Sequence, residues 1–277
     1  MTPFIENCII ADQVLSAFRV QKLLEYPHLM TVFLLDIQLL VRQIEALGQE
    51  YANAQYLSGC EQVTMGALTS EKRKKEWLSG RIAAKYAAAG LFEQGHGERD
   101  NVLSFPDLTI IADKNGRPSL KANNHIRMQG DIPDISISHS VSIAAAMAAE
   151  KGFCGIDIQK ITHKVIKVQE RFCCPAEKRI LQATFPWQAE KETAALTKLW
   201  AAKEALRKAS NMVALPGFLE MELIEIHEEL PQEASSSWVY VFSWKRMGTP
   251  INHKYRVAVT LVKDYALALT ARDDTLQ

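Results

Sequence analysis

Net charge is missing from this chain: 32 Lys and Arg balance 32 Asp and Glu over 277 residues. A neutral total provides no global field to hold nucleic acid or an anionic membrane, so any anion site must be assembled locally. Cysteine is scarce. The five present are odd in number and contain no C-x-x-C pair, which argues against a disulfide framework and a zinc site. Adjacent Cys173 and Cys174 read as two small, fairly apolar residues. Long apolar runs are lacking too: residues 32–41 form the longest, broken by Asp36 and Gln38 and too short for a bilayer. The start, MTPFIENCIIADQ, has neither the basic stretch nor the apolar core of a secretory signal. No short repeat, low-complexity tract or G-x-S-x-G serine-hydrolase elbow occurs. The expected setting is a reducing cytoplasm, with no nucleic-acid or membrane partner.

What is present alternates between helical and strand-like patterns. Residues 31–40 read as a buried strand running into a helix over 41–47. A helix is expected over about 70–89, opened by Ser70 and Glu71 and closed near Gly90. A strand over 108–112, a turn at Asn115-Gly116 and a return strand edged by Pro118 follow. Residues 121–134 read as a polar loop. Strand resumes at 135–137, and 141–149 is expected to pair back towards the strand around 153–159. Helices are then expected over 164–172, 175–183, with Pro175 at its start, and 187–210. Strand-like runs fill 220–227, 238–245 and 255–270, the last turning at Lys263-Asp264, with a linker near 231–237. Segregated helices and hairpins point to an α+β fold.

Two segments carry chemistry. FCGIDIQ, residues 153–159, places Asp157 and Gln159 on the strand face opposite Ile156 and Ile158, and Gly155 leaves room for a close approach to the backbone. In LTKLWAAKEALRKAS, Leu196, Leu199, Ala202 and Leu206 form one helical stripe, while Trp200, Glu204 and Lys208 form another at four-residue spacing. Taken alone, Asp157 reads first as a solvent-facing acid, and Glu204–Lys208 as a surface pair of small energetic value.

Together, GIDIQ followed by LWAAKEALRKA resembles the paired signature of the 4′-phosphopantetheinyl transferase superfamily, G-[IV]-D then W-x-x-K-E-[AS]-x-x-K. Three further segments, SGRIAAKYA, NGRPSL and ISISHS, resemble its larger, surfactin-synthetase-activating branch. They fall in the family's order, and the likeness spans roughly residues 70–270. It implies transfer of 4′-phosphopantetheine from coenzyme A to a serine of an acyl or peptidyl carrier protein, with release of 3′,5′-ADP. It also implies Mg²⁺ at Asp157 and Glu204, with Gln159 standing where many relatives have an acid. An amide oxygen there can ligate a metal or hold its water but brings no charge.

The resemblance further implies candidate roles. Glu204 or Glu177, the latter in RFCCPAEKRIL, is the base for the serine; Lys208 is a phosphate contact, and Lys203 either another or a solvated neighbour. Arg81, with Lys85 one turn on, is expected to meet the 3′-phosphate, where a guanidinium fork suits paired oxygens. Gly116, Arg117 and Pro118 are expected to flank the adenine, and Ser138 and His139 to meet a phosphate. Six basic and two acidic residues between Glu71 and Lys85 supply local positive charge. By the same resemblance the chain is a monomeric pseudo-dimer of two similar α+β halves, 1–152 with the coenzyme-binding elements and 153–277 with the metal and catalytic residues, and coenzyme A in the cleft between them. The rival reading is a non-catalytic coenzyme A or carrier-binding module on the same scaffold, favoured by Gln159 and opposed by Asp157, Glu204 and Lys208. A more distant rival is a Mg²⁺-dependent enzyme of nucleotide pyrophosphates that needs no protein acceptor.

Overall fold

A computed structural model of the chain describes residues 6–10, 17–96, 104–122, 132–185, 189–210, 215–229, 237–244 and 253–273. The expected linker at 231–237 lies outside these residues except for Ser237, as do 123–131 of the expected polar loop. Helix α1, Ala17–Leu24, belongs to the second of two compact units, residues 12–27 with 153–277; residues 1–11 with 28–152 form the first.

The first unit opens with β1, Met30–Asp36, and α2, Ile37–Leu47. The helix starts four residues earlier than the hydrophobic pattern predicts. Asp36 ends the strand because its carboxylate accepts from the backbone N–H groups of Gln38 and Leu39, at 2.9 and 3.1 Å. Helices α3, Gln49–Tyr56, and α4, Gly59–Gly66, precede the long α5, Glu71–His96. Gly90 does not end α5. Ala84, Ala87, Ala88 and Leu91 are buried there, and packing outweighs the roughly 1 kcal/mol that glycine costs a helix.

The hairpin β2, Leu108–Ala112, and β3, Pro118–Ala122, turns where Asp113 accepts from Asn115 and Arg117 N–H. Strands β4, Asp134–Ser140, and β5, Ile143–Ala149, complete a three-stranded antiparallel sheet of order β1-β5-β4. The expectation that 141–149 pairs towards 153–159 is therefore corrected. Both edges of β5 are taken by β1 and β4, and its alanines let α5 lie close.

The second unit holds β6, Phe153–Lys160; 3₁₀ turns at His163–Arg171, where a helix was expected; α6, Pro175–Thr184; and α7, Ala189–Lys208. Then come β7, Met221–Glu229, β8, Ser237–Trp244, β9, His253–Val262, and β10, Tyr265–Arg272. The sheet is antiparallel, of order β6-β10-β9-β8-β7, and the last hairpin turns at Lys263 and Asp264, with Lys263 at φ 54°. Trp238, Tyr240, Phe242 and Trp244 alternate onto one face and form a core with Val257, Val259, Ala266 and Ala268 against Leu196, Leu199, Ala202 and Leu206 of α7. The stripe expected on that helix is its buried side.

The fold is α+β with two similar halves, and the likeness extends to one polar constellation. In the first unit Lys85 of α5 is fully buried and bonds Glu61 of α4 at 2.5 Å, Tyr56 O at 2.7 Å and Phe105 O at 3.0 Å. Glu61 also accepts from Ser58 N–H, closing a capping box, and from Ile110 N–H of β2. In the second, fully buried Lys203 of α7 bonds Glu177 of α6 at 2.6 Å, Phe172 O at 2.7 Å and Phe218 O at 2.9 Å. Glu177 accepts from Cys174 N–H and from Leu223 N–H of β7. Every donor of each ammonium has an acceptor, which is the condition under which a charge survives burial. The pair recurs in different sequence contexts because it solves one problem twice: joining a short helix, a long helix and a strand at a buried corner.

Lys198 of α7 is also buried, its Nζ 3.3 Å from the Trp238 ring centre and 4.1 Å from that of Phe185. Burial pushes its ammonium from 10.5 down to about 7, against the pull of Glu228; the ring faces also favour the charged form. Between about pH 7 and 10.5 the folded protein binds fewer protons here than the unfolded chain. The penalty on stability is therefore complete below pH 7 and fades as pH rises to 10.5.

Two outcomes are expected in urea denaturation. Lys85→Met and Lys203→Met each cost about 3–5 kcal/mol, because a buried carboxylate loses its partner; a loss under ~1 kcal/mol would show that the pair does not hold the corner. Lys198→Met gains on the order of 1–3 kcal/mol at pH 7, a gain that shrinks towards pH 10; a loss at pH 7 would contradict the burial argument.

Candidate active site

The site begins with a glycine. Gly155 and Asp157 share one face of β6, and α7 crosses that face so closely that a Cβ on Gly155 would overlap the carbonyl oxygen of Ala205. Opposite them on β10 stand the small Thr270 and Ala268. The crossing brings Glu204 and Lys208, which flank Ala205 on the same helix, to Asp157.

Asp157 is almost wholly buried, yet both its carboxylate oxygens are engaged. Lys208 Nζ lies 2.7 Å from Oδ1 and 2.9 Å from Ile156 O, and Gln159 Nε2 donates to Oδ2 at 3.0 Å. Glu204 is about one-fifth exposed. Burial first, and the charge of Asp157 second, push its carboxyl above the usual carboxylate range, while Lys208 and Arg207 pull the other way. Arg207 stands 3.9 Å from Glu204, donates to Pro216 O at 2.9 Å and lies over the Phe218 ring. Trp200, one turn before Glu204, packs between Phe172 and Phe218.

Two carboxylates close enough that the charge of one adds to burial in raising the proton affinity of the other suit a divalent cation. Among the described residues no group of three or more His, Cys, Asp and Glu is placed to hold a metal. The donor set, two carboxylates with an adjacent amide, fits Mg²⁺, which keeps waters and takes phosphate oxygens beside one or two protein carboxylates.

The first unit shows what replaces the pair when it is not needed. With Lys85 matched to Lys203, Tyr86 stands for Glu204, Ala87 for Ala205 and Gly90 for Lys208. Thr31 of β1, whose hydroxyl donates to Ala87 O at 2.5 Å, stands for Gly155, and Phe33 for Asp157. Phe33 and Tyr86 are stacked, with ring centres 4.8 Å apart. The geometry that joins two acids in one half joins two rings in the other.

Residues 153–270, which contain the whole cluster, match the family model described as the 4′-phosphopantetheinyl transferase superfamily. The chain is 34% identical over 112 residues to the holo-[acyl-carrier-protein] synthase of Bacillus subtilis (strain 168), covering 40% of this chain and 88% of that one. The chain belongs to the 4′-phosphopantetheinyl transferase superfamily. It is also 42% identical over 74 residues to the holo-[acyl-carrier-protein] synthase of Geobacillus kaustophilus, a match covering 27% of this chain and about half, 52%, of that relative. A crystal structure of the Bacillus anthracis holo-(acyl-carrier-protein) synthase in complex with CoA (3′,5′-ADP) aligns at TM-score 0.34 and 27% identity, covering 43% of this chain and 92% of that one.

The remaining candidates of this superfamily member fall into separate places. Lys85, Lys203 and Glu177 are consumed by the buried pairs. Their geometry gives them a structural part: no ammonium donor of either lysine is turned outward, and Glu177 is 1% exposed. Arg81 is half-buried on α5, its guanidinium 4.2 Å from the Trp77 ring centre and its Nε buried without a partner. Arg117 bonds Asp134 at 2.6 Å, after Gly116 at φ 82°, and Pro118 opens β3. Ser138 is buried and His139 exposed near the far end of β4, roughly 13 Å from Asp134 at strand spacing. The sequence reading missed Glu61, Asp134 and Arg207. Glu61 was signalled by S-x-x-E at 58–61; Asp134 and Arg207 have no comparable local signature.

Gly155→Ala tests the crossing: it should cost about 1–3 kcal/mol in thermal or urea unfolding, because backbone rather than a flexible side chain blocks the new methyl. A change within ~0.5 kcal/mol would contradict the contact.

Proposed function

We propose that the protein transfers 4′-phosphopantetheine from coenzyme A to a serine hydroxyl of an acyl or peptidyl carrier protein and releases 3′,5′-ADP. The observation that carries this reading is the meeting of Asp157, Glu204 and Lys208 inside the segment that matches the family. The serine oxygen forms a bond to the phosphorus bearing the pantetheine arm as the bond to the 3′,5′-ADP oxygen breaks. The nucleophile comes from the carrier, so no hydroxyl of this chain has to be activated.

Asp157 and Glu204 would hold Mg²⁺, with Gln159 beside them. When bound, the ion neutralises charge that gathers on the pyrophosphate and the departing nucleotide. Lys208, half out of the helix end, supplies positive charge at the same place. Glu204 is the base candidate that the geometry favours over Glu177: it reaches solvent, and its environment raises its affinity for a proton. Arg81, Arg117, Ser138 and His139 remain the proposed coenzyme contacts, in a division that gives residues 1–152 the nucleotide and 153–277 the metal and catalysis.

The duplicated corner within one chain supports the larger, surfactin-synthetase-activating type acting as a monomer. All five cysteines are free thiols, in keeping with a cytoplasmic setting, and among the described residues no helix is long and apolar enough to cross a membrane.

The test is incubation with apo-carrier, coenzyme A and Mg²⁺, read by mass spectrometry. The wild type should add phosphopantetheine to a carrier serine. Asp157→Ala and Glu204→Ala should each lose about 10²–10³-fold or more in rate while melting near the wild type. Near-normal turnover in either would remove it from the site.

A further inference from the structure

The same cluster says something about the state that precedes substrate. Asp157 is almost completely withdrawn from water, and a buried carboxylate has to be neutralised or stabilised by donors. Lys208 does the first, at 2.7 Å from Oδ1, and is anchored by Ile156 O at 2.9 Å. Gln159 does the second through Nε2 on Oδ2. Glu204 adds a second negative charge, and Arg207 stands beyond it at 3.9 Å. The carboxylate that would bind a divalent cation therefore already carries a monovalent, covalently tethered one, the Lys208 ammonium.

We propose that Lys208 is a resident stand-in for the divalent cation: it neutralises Asp157 in the free protein, opposes metal binding there, and yields its place when pyrophosphate arrives. This rests on the reading of Asp157 and Glu204 as the metal site. An ammonium on one oxygen of a carboxylate and a doubly charged ion on the same group repel each other strongly in a half-buried setting. Phosphate oxygens supply what resolves the conflict, since they can take the ammonium and ligate the ion together. Lys208 is suited to the exchange. It ends α7, its side chain is 29% exposed, and its long stem lets the head group move a few ångströms without moving the helix. The consequence is mutual dependence. Metal alone binds weakly, metal with coenzyme A binds tightly, and by linkage each tightens the other by the same factor. Gln159 fits the same account. Its amide donates to Asp157 without adding charge, so the resting site sets Lys208 and Arg207 against two acids, where a third acid would leave it short of positive charge.

The experiment is calorimetric titration of Mn²⁺ into the full chain without carrier, with circular dichroism as the check on folding. Lys208→Gln removes the charge and keeps a donor for Asp157 and Ile156 O; without coenzyme A it should bind Mn²⁺ at least about tenfold more tightly than wild type. Lys208→Arg, which keeps the charge, should stay within about threefold of wild type. Coenzyme A should tighten Mn²⁺ binding at least about tenfold in wild type and by a smaller factor in Lys208→Gln. Equal or weaker Mn²⁺ binding by folded Lys208→Gln overturns the stand-in role and leaves the metal site standing. If Lys208→Gln does not fold, the wild type decides alone: Mn²⁺ binding as tight without coenzyme A as with it overturns the proposal. Failure of wild type to bind Mn²⁺ even with coenzyme A, or undiminished binding in Asp157→Asn, overturns the metal-site reading itself.

Discussion

Everything at the site depends on how near α7 comes to β6. The helix passes over the strand at Gly155, where only a hydrogen on Cα leaves room for the Ala205 carbonyl. That contact fixes helix height and rotation together, and the carboxylates follow from it: Asp157 lies two residues along the strand on the same face, and Glu204 and Lys208 lie either side of Ala205. A side chain at 155 would lift the helix, and the acid pair would open. The buried Lys203–Glu177 bond then ties the same helix to α6 and β7, so α7 is held from two directions.

The two halves show how one packing scheme serves two ends. Both tie a long helix to a short one with a lysine and a glutamate, and both bring a strand up against that long helix. In the first half the crossing is finished with a threonine hydroxyl and a stacked Phe33–Tyr86 pair, which is stable and chemically inert. In the second it is finished with a glycine and two acids, which is costly: Glu204 is strained against Asp157 and burial, and Lys208 is needed to offset the charge. Stability has been conceded where chemistry is needed and retained where it is not.

Much of this was legible in the sequence, for definite reasons. The shared face of Glu204 and Lys208 follows from their spacing, and the buried stripe Leu196, Leu199, Leu206 from the same period. The hairpin turn at Lys263 and Asp264 stands between two strand-like runs, and the place of Pro175 follows from its missing N–H. Other features were hidden because they are tertiary. Lys85, Lys203 and Glu177 look like ligand contacts, since lysine and glutamate are almost never buried unless paired, and a pair over twenty residues apart leaves no local trace. Asp36 was read only as an interruption in an apolar run, within a strand taken to continue to residue 40, although its carboxylate caps a helix. Strand β5 was assigned the wrong neighbour because alanine-rich runs carry no register information, and Gly90 was read as a stop where packing carries the helix through. The duplication was expected from the family resemblance alone and left no sequence repeat, because it lies in geometry, with Ser58 answered by Cys174 and Phe33 by Asp157.

The central claim is that one chain binds one divalent cation between Asp157 and Glu204. The direct measurement is anomalous diffraction from crystals grown with Mn²⁺ and coenzyme A. The account predicts a single anomalous peak per chain, ligated by oxygens of both carboxylates and of the pyrophosphate. A peak that touches neither carboxylate, or an equal one beside Phe33 and Tyr86, would contradict it.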